Sequence, residues 1–415
     1  LLTFFINKRA ILLAQFLLPM KGFFAMISCL IMTAFKKIVV IGAGTMGSGI
    51  AAHLANSKRD VVLLDLKGKG SPNEISERAI DIIKKSDPPL LVEKSRLEHI
   101  KPGNLTDDFD EIKDADWIIE AVVERIDIKH KLYSQIDKVR SPNSIISSNT
   151  STIPLSILTQ EMSDSMKADF CITHFFNPVR FMRLLEIVET PTMNKDKMDA
   201  LRDFCNNELG KGIVNCNDTP GFIGNRIGVY AMQVAMYEAL ERGLPVEIAD
   251  ALFGRPLGIP KTGVFGLYDL IGIDLMKDVL ASFKKELQEN DAFMDVVNPH
   301  PLVEQLLEKG FNGNKGPGGF YQTTIVEGDE HVKAMNTSDM SYYDFDKVDL
   351  EIARRVEKEG IKALLDNDSE YGRYAFAVLA KIINYSAFCL PAVSSKATDI
   401  VSVYSLSFCL LVVAF

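Results

Sequence analysis

Short apolar runs alternate with amphipathic stretches over the first half of the chain. Apolar runs of strand length occupy residues 37–41 and 60–64, and residues with helical spacing lie between them. Two further strand-like runs lie within residues 116–124 and 143–151, separated by a helical stretch over 126–139. Strands that alternate with helices indicate a doubly wound parallel sheet, so this half is predicted to be an α/β domain.

The pattern changes after residue 217. A long helical pattern runs from Asp218 through Ala239, and mixed apolar and polar residues at helix spacing continue to about residue 325. Such spacing is typical of packed helices rather than of strands. Residues 326–370 are polar and charged, which predicts a linker.

Both ends of the chain are unusually apolar. Residues 1–35 carry only Lys8, Arg9 and Lys21 as charges, and residues 399–415 end in an uncharged run. The leader is either a targeting segment or an over-extended reading frame, and the tail is either a membrane anchor or the product of a truncated or frame-shifted gene. Membrane contact is expected only if these segments are genuine.

Composition and charge narrow the class of protein. The chain is 47% hydrophobic and 24% charged, which is typical of a globular protein. Its net charge of −9 and the absence of a basic run argue against a nucleic-acid partner. The six cysteines form no C-x-x-C pair and no cluster at zinc spacing, so the sequence predicts no metal site and favours a reducing cytoplasm.

A glycine-rich turn follows the first apolar run. Gly42, Gly44 and Gly47 form a G-x-G-x-x-G motif between the first strand and a helix, and Asp65 ends the second strand. In a Rossmann unit these glycines permit a tight turn, close approach to a pyrophosphate and close helix packing. An acidic residue at the position of Asp65 binds ribose hydroxyls and repels a 2′-phosphate, so NAD is the predicted cofactor.

Polar residues also lie at the predicted carboxyl ends of the later strands. These residues are Glu120, Glu124, Asn149 and Ser151. Ligands of doubly wound sheets bind beyond the carboxyl ends of the strands. The topology therefore predicts that these four side chains line the cofactor and substrate crevice.

One histidine stands at the end of a strand-like run. His174 follows an apolar run and precedes a turn, and Glu186 lies twelve residues later in another strand-like run. A hairpin-like return would bring the carboxylate beside the imidazole. Such a pair suits alcohol oxidation, because the imidazole takes the hydroxyl proton and the carboxylate favours the imidazolium. On spacing alone, a structural histidine in a turn remains the alternative.

The order of several motifs resembles the L-3-hydroxyacyl-CoA dehydrogenases of fatty-acid β-oxidation. The resemblance spans residues 36 to about 325. The motifs are G-A-G-T-M-G from Gly42, I-E-A-V-V-E around Glu120, S-N-T-S ending at Ser151, H-F-F-N-P from His174, and D-T-P-G-F-I-G-N-R around Asn225. The family resemblance implies a Rossmann domain over 36–217 and an all-α C-terminal domain over 218–325.

The resemblance also implies roles for individual residues in an NAD-dependent oxidation of L-3-hydroxyacyl-CoA to 3-ketoacyl-CoA. His174 would be the general base in oxidation, and Glu186 its orienting partner. Ser151 and Asn225 would contact the acyl-CoA substrate near its 3-oxygen and thioester.

Three further residues match family positions on the nicotinamide side of the cofactor, namely Glu124, Lys129 and Asn177. Lys129 is alternatively a solvated helix charge, and Asn177 a turn-capping amide.

Residues 371–398 resemble the opening of a second helical domain found in multifunctional β-oxidation proteins. No enoyl-CoA hydratase motif is recognisable. The resemblance implies either a homodimer through the helical domain or a surface covered internally by the second copy. Two other functions stay open, a dehydrogenase of another 3-hydroxy acid and a decayed or structural protein that retains the fold.

Overall fold

A computed structural model of the chain describes residues 35–254, 262–326, 329–346, 348 and 350–408. It divides into two compact units, which are unit 1 (residues 35–150 and 155–213) and unit 2 (residues 151–154 and 214–408). The predicted leader up to residue 34, and residues 409–415 of the predicted tail, lie outside the described residues. Among the described helices, none is both long and apolar enough to cross a membrane.

Unit 1 is built on a mostly parallel sheet. In the described part of the chain this sheet has eight strands in the order β3-β2-β1-β4-β5-β6-β7-β8. The strands are β1 (Lys37–Ile41), β2 (Asp60–Asp65), β3 (Ile100–Asn104), β4 (Trp117–Glu120), β5 (Ile145–Ser148), β6 (Phe170–Phe175), β7 (Leu184–Glu189) and β8 (Gly212–Asn215).

The helices of unit 1 connect and flank these strands. They are α1 (Thr45–Asn56), α2 (Glu74–Lys85), α3 (Ile126–Val139), α4 (Leu155–Leu158), α5 (Asp164–Lys167) and α6 (Lys195–Asp203), with short helical turns at Lys94–His99, Phe109–Ile112 and Phe204–Glu208. The sequence prediction of a doubly wound α/β sheet is therefore confirmed.

The strand order reverses beside β1. This strand pairs in parallel with β2 on one side and with β4 on the other. Ile38, Val39, Val40 and Ile41 are all fully buried, as expected for a central strand covered on both faces. Ligand sites of doubly wound sheets lie where the order reverses, so the carboxyl ends of β1 and β4 mark the crevice.

The sheet departs from a purely parallel arrangement at β6 and β7. These two strands are antiparallel, and residues 176–183 connect them. A parallel crossover needs about a dozen or more residues, so this short connection allows only a hairpin-like return. The return was predicted from the spacing of the two strand-like runs.

Unit 2 is mainly helical, as predicted for the C-terminal part. Its helices are α7 (Gly224–Glu241), α8 (Val246–Leu252), α9 (Phe265–Ile271), α10 (Ile273–Glu286), α11 (Pro301–Glu308), α12 (Glu351–Glu359), α13 (Lys362–Leu365), α14 (Glu370–Cys389) and α15 (Ala397–Val403), with helical turns at Ala292–Asp295 and Tyr404–Phe408. Fourteen of the eighteen residues of α7 are buried, so this helix is the centre of the unit.

Helix α14 packs against α7. Ser369 caps the N-terminus of α14, because its hydroxyl accepts a hydrogen bond from the Gly372 N–H. The Tyr374 hydroxyl donates to the Ala235 carbonyl of α7, and the rings of Tyr230 and Tyr385 stack with centroids 4.0 Å apart. Residues 370–389 therefore cover one face of α7 within the chain itself.

The segment predicted as a linker, residues 326–370, contains regular structure. Within the described residues, β9 (Tyr321–Val326), β10 (Asp329–Met335) and β11 (Tyr342–Asp344) form a three-stranded antiparallel sheet, and α12 and α13 follow. The sheet is tied to the helices by Asp269, whose carboxylate accepts the N–H groups of Phe320 and Tyr321. The first three residues of β10, which are Asp329, Glu330 and His331, are polar and exposed, and this explains why composition alone suggested a linker.

A buried histidine makes unit 1 sensitive to acid. The Nε2 atom of His53 contacts the Leu209 carbonyl oxygen at 3.0 Å, and Nδ1 is buried without a hydrogen-bond partner among the described residues. Burial, with added repulsion from Lys211 and Arg180, lowers the pKa of His53 to about 3. An unfolded histidine titrates near 6.5, so its neutral form stabilises unit 1 above about pH 6.5, and that stability is lost as the pH falls toward 3.

We expect unit 1 to lose about 2 kcal/mol of unfolding free energy between pH 7 and pH 5 through His53. The unfolding free energy of the His53→Gln variant should fall much less over the same pH range, because glutamine can donate a hydrogen bond to the Leu209 carbonyl but does not titrate. Urea unfolding followed by fluorescence of Trp117 measures this, since Trp117 is the single tryptophan of the sequence and is buried in unit 1. His99→Gln is the control, and equal pH dependence in all three proteins would contradict the assignment.

Candidate active site

The glycine-rich turn after β1 has a conformation that its sequence requires. Gly42 has φ +106°, in the left-handed region, and its N–H donates to the Leu64 carbonyl at 2.8 Å. A Cβ at this position would lie 2.4 Å from the Ala121 carbonyl oxygen. No other residue fits here without moving the backbone of the β4 end.

The other two glycines of the turn differ from each other. A Cβ on Gly47 would lie 1.7 Å from the Gly42 carbonyl oxygen, so α1 can approach the turn only because residue 47 is glycine. A Cβ on Gly44 would meet nothing within 4 Å. The open space therefore lies in front of the N-terminus of α1, where N–H groups attract phosphate. This geometry fits the pyrophosphate of a dinucleotide.

Asp65 ends β2 beside the same turn. Its Oδ2 atom accepts the Ala43 N–H and its Oδ1 atom accepts the Leu66 N–H, both at 2.6 Å. A carboxylate has about four acceptor positions, so these two bonds leave capacity for ribose hydroxyls. The residue is half-buried and negatively charged next to the turn, as a ribose-binding residue of an NAD site must be.

Glu120 does not line an open crevice, contrary to the sequence prediction. Its carboxylate is fully buried and accepts hydrogen bonds from Lys129 at 2.7 Å, Tyr133 at 2.5 Å, Ser148 at 2.6 Å and the Val122 N–H at 2.8 Å. A buried carboxylate is stable only when such donors surround it. Glu120 therefore anchors the ends of β4 and β5 to α3. Burial and the adjacent carboxylate raise the pKa of Tyr133, which keeps its hydroxyl a donor.

Lys129 is not a solvated helix charge. Only 1% of its side chain is exposed, and Nζ lies 2.7 Å from Glu120 and 3.1 Å from Glu124. Glu124 is partly exposed and also accepts a hydrogen bond from the Thr150 hydroxyl. The lysine thus fixes the exposed carboxylate of Glu124 beside the end of β4.

Asn149 ties the carboxyl ends of β4, β5 and β6 together. Its N–H donates to the Glu120 carbonyl at 2.7 Å, and its Oδ1 atom accepts the Phe175 N–H at 2.9 Å. Phe175 directly follows His174 on β6. The side chain of Asn149 therefore restrains the strand end that carries the histidine.

His174 and Glu186 lie directly opposite each other in the register of β6 and β7. The Nδ1 atom of His174 is 2.8 Å from Oε2 of Glu186. Both side chains are buried, with 6% and 0% of their surface exposed. Away from water the carboxylate holds the ring in one orientation and stabilises a positive charge on it. The pair has the geometry of a base and its orienting acid.

Lys211 is a residue of this region that the sequence analysis missed. Its buried Nζ atom donates to the carbonyl oxygens of Val179 and Met182, and it lies 5.6 Å from the centre of the Phe175 ring. Burial lowers its pKa to about 8. Lys211 thus holds the connection between β6 and β7. A single lysine before a short strand carries no motif, so only the three-dimensional contacts identify it.

The remaining predicted site residues are placed as follows. Asn177 is exposed in the connection between β6 and β7. Ser151 and Asn225 belong to unit 2, and both are half-buried. Asn225 is the second residue of α7, in the first turn of that helix.

The fold and the geometry define a class of protein. A Rossmann turn, an acidic residue at the end of β2 and a buried histidine–carboxylate pair are the parts of a dinucleotide-dependent dehydrogenase. Two family profiles match the chain, described as "3-hydroxyacyl-CoA dehydrogenase, NAD binding domain" over residues 37–219 and "3-hydroxyacyl-CoA dehydrogenase, C-terminal domain" over residues 221–323. The chain belongs to the 3-hydroxyacyl-CoA dehydrogenase family, and its cofactor is NAD.

Similar proteins support this membership. A Rickettsia felis protein named as a fatty acid oxidation complex trifunctional enzyme is 40% identical over 367 residues, covering 88% of this chain and 50% of that protein. The chain thus spans about half the length of this relative. A Deinococcus radiodurans protein named as a 3-hydroxyacyl-CoA dehydrogenase is 36% identical over 294 residues, covering 70% of this chain and 84% of that protein.

A solved structure shares the fold. The 3-hydroxybutyryl-CoA dehydrogenase of Escherichia coli superposes with a TM-score of 0.67 at 24% identity, covering 90% of this chain and 88% of that one. The predicted family and fold are therefore confirmed.

Asp65 should set the preference for NADH over NADPH. Loss of a charged hydrogen-bond partner costs about 1.5–3 kcal/mol, so Asp65→Ser should weaken NADH binding about 10- to 100-fold and narrow the gap to NADPH. NADH and NADPH titrations followed by nucleotide fluorescence measure both affinities. Asp60→Ser, at the exposed start of the same strand, is the matched control. Equal wild-type affinity for the two cofactors would contradict the role of Asp65.

Proposed function

We propose that the protein oxidises L-3-hydroxyacyl-CoA to 3-ketoacyl-CoA reversibly with NAD. The observation that carries this proposal is the buried His174–Glu186 pair at 2.8 Å, in a chain with both domains of the family. An acyl-CoA substrate agrees with the names of the Deinococcus radiodurans and Escherichia coli proteins.

His174 has the role of the general base. The contact of Nδ1 with Glu186 favours the tautomer with a proton on Nδ1, which leaves Nε2 to take the proton of the substrate hydroxyl. Glu186 then stabilises the imidazolium by its charge. NAD, when bound, supplies the acceptor for the hydride. In the reverse direction His174 returns the proton to the ketone oxygen.

Other groups of the chain bind and orient the cofactor. Gly44 and the N-terminus of α1 bind the pyrophosphate, and Asp65 binds the ribose. Glu124 and Asn177 contact the nicotinamide side, and Lys129 acts there by fixing Glu124.

Ser151 and Asn225 contact the substrate. These assignments extend the motif positions of the family to this chain, residue by residue.

The proposed place of the reaction is fatty-acid β-oxidation in the cytoplasm. A pathway role is supported by the name of the Rickettsia felis relative. The described cysteines Cys171, Cys205, Cys216 and Cys389 are buried free thiols, which fits a reducing compartment.

His174→Gln should lower turnover by roughly 10²- to 10⁴-fold, the usual contribution of positioned acid–base catalysis. Substrate binding should survive better than turnover, because glutamine retains a polar side chain of similar size. The assay is NADH consumption with acetoacetyl-CoA as substrate. His130→Gln, which changes a histidine of α3 outside the His174–Glu186 pair, is the control. Full turnover in His174→Gln would overturn the mechanism, whereas a folded, NADH-binding wild type without activity on any 3-ketoacyl-CoA would overturn the proposed function.

Glu186→Gln should keep a hydrogen bond to the ring but remove the charge that stabilises the imidazolium. Turnover should fall about 10- to 100-fold, and the pH profile of oxidation should move to lower pH. Initial rates of L-3-hydroxybutyryl-CoA oxidation across a pH series measure both effects. Glu189→Gln on the exposed end of β7 is the matched control. An unshifted profile with reduced turnover would show that Glu186 orients the ring without acting through its charge.

A further inference from the structure

Three buried side chains form a closed ring of hydrogen bonds at the start of α7. Arg226 donates from Nη2 to Oδ2 of Asp291 and from Nε to the Tyr385 hydroxyl at 3.1 Å. The Tyr385 hydroxyl donates in turn to Oδ1 of Asp291 at 3.0 Å. Each member therefore contacts both of the others, so the position of one determines the position of the other two.

The ring is almost completely buried, and neighbouring groups make further contacts with it. Arg226, Asp291 and Tyr385 are 6%, 5% and 1% exposed. Asp291 also accepts the Phe293 N–H at 2.9 Å, and the Tyr230 ring stacks on Tyr385. Burial raises the pKa of Tyr385, which keeps its hydroxyl a hydrogen-bond donor. A buried charge pair of this kind tolerates little change in geometry.

The ring holds the segment that presents Asn225. Gly221 and Phe222 precede α7 with φ values of +71° and +50°, and the left-handed conformation of Phe222 is unfavourable for a bulky residue. The Arg226 N–H donates to the Gly221 carbonyl at 3.1 Å. Arg226 thus contacts the strained turn through its backbone N–H and the other two members of the ring through its side chain. Asn225 directly precedes Arg226 in the sequence.

Tyr385 comes from a part of the chain that neither family profile covers. The C-terminal profile ends at residue 323, and α14 begins at Glu370. The third member of the ring therefore lies outside both matched domains.

We propose that Tyr385 is a positioning residue for substrate binding, acting through Arg226 and Asp291 to fix the first turn of α7 and with it Asn225. This inference rests on the proposed function for the role of Asn225. Helix α14 then contributes to substrate binding by fixing the position of α7.

The test compares two tyrosines of the same helix in the full chain. Tyr385→Phe removes the hydroxyl from the ring but leaves the Arg226–Asp291 pair in place, so the protein should fold. Tyr374→Phe makes the same chemical change on α14, where the lost bond goes to the Ala235 carbonyl in the middle of α7. Arg226 and Asp291 themselves are unsuitable, because an unpaired buried charge can prevent folding.

Kinetics measure the effect on substrate. Tyr385→Phe should raise the KM for acetoacetyl-CoA by about tenfold and leave the KM for NADH unchanged, whereas Tyr374→Phe should change neither. Asn225→Ala should raise the same KM, and the double variant Tyr385→Phe/Asn225→Ala should add no further increase. An increase in both KM values, or full additivity in the double variant, would overturn the proposal.

Hydrogen–deuterium exchange measures how firmly the first turn of α7 is held, and it requires no activity assay. Peptides that cover residues 219–227 should exchange faster in Tyr385→Phe than in wild type or Tyr374→Phe. Unchanged exchange in Tyr385→Phe would overturn the proposal even in an active enzyme. A wild type that is inactive on every 3-ketoacyl-CoA would overturn the proposed function, and the exchange rates would still decide whether Tyr385 fixes the turn.

Discussion

The pairing of β6 with β7 is the contact on which the proposed chemistry of unit 1 depends. Side chains alternate between the two faces of a sheet, so a slip of one residue in this register would move Glu186 to the face opposite His174. Several contacts prevent that slip. Asn149 binds the backbone at the end of β6, and Lys211 holds the connection to β7 through two carbonyl groups. The hydrogen bond between His174 and Glu186 therefore depends on the register of the sheet as well as on the two side chains.

Buried charge is organised in the same way at three places. Lys129 is paired with Glu120, Arg226 with Asp291, and the ammonium group of Lys211 with backbone carbonyls. Such pairs add little net stability, because desolvation offsets the attraction, but they fix geometry closely. Each of them lies beside a strand end or helix start where a predicted site residue stands. The polar interior of this protein thus defines positions rather than contributing much to the unfolding free energy.

The sequence was sufficient to predict features that depend on residues close together in the chain. Gly42, Gly47 and Asp65 were predicted because a turn of fixed length between strand and helix needs these residue types at these spacings. Contacts distant in sequence were not predictable. Nothing local distinguishes Lys211 from an exposed lysine, and the strand-end rule placed Glu120 in the crevice although α3 supplies donors that bury it. The strands β10 and β11 were predicted as part of a linker, because the first half of β10 is exposed throughout and shows no alternation of buried and exposed residues.

The ring at the start of α7 also sets an order of events during synthesis. Arg226 and Tyr385 are 159 residues apart, whereas His174 and Glu186 are only 12 apart. At roughly 5–20 residues per second, a ribosome needs about 10–30 seconds to add the chain between the two members of the ring. The histidine and its carboxylate can meet long before Tyr385 exists. In a nascent chain the His174–Glu186 pair can therefore form well before the side chains that fix the start of α7 are all present.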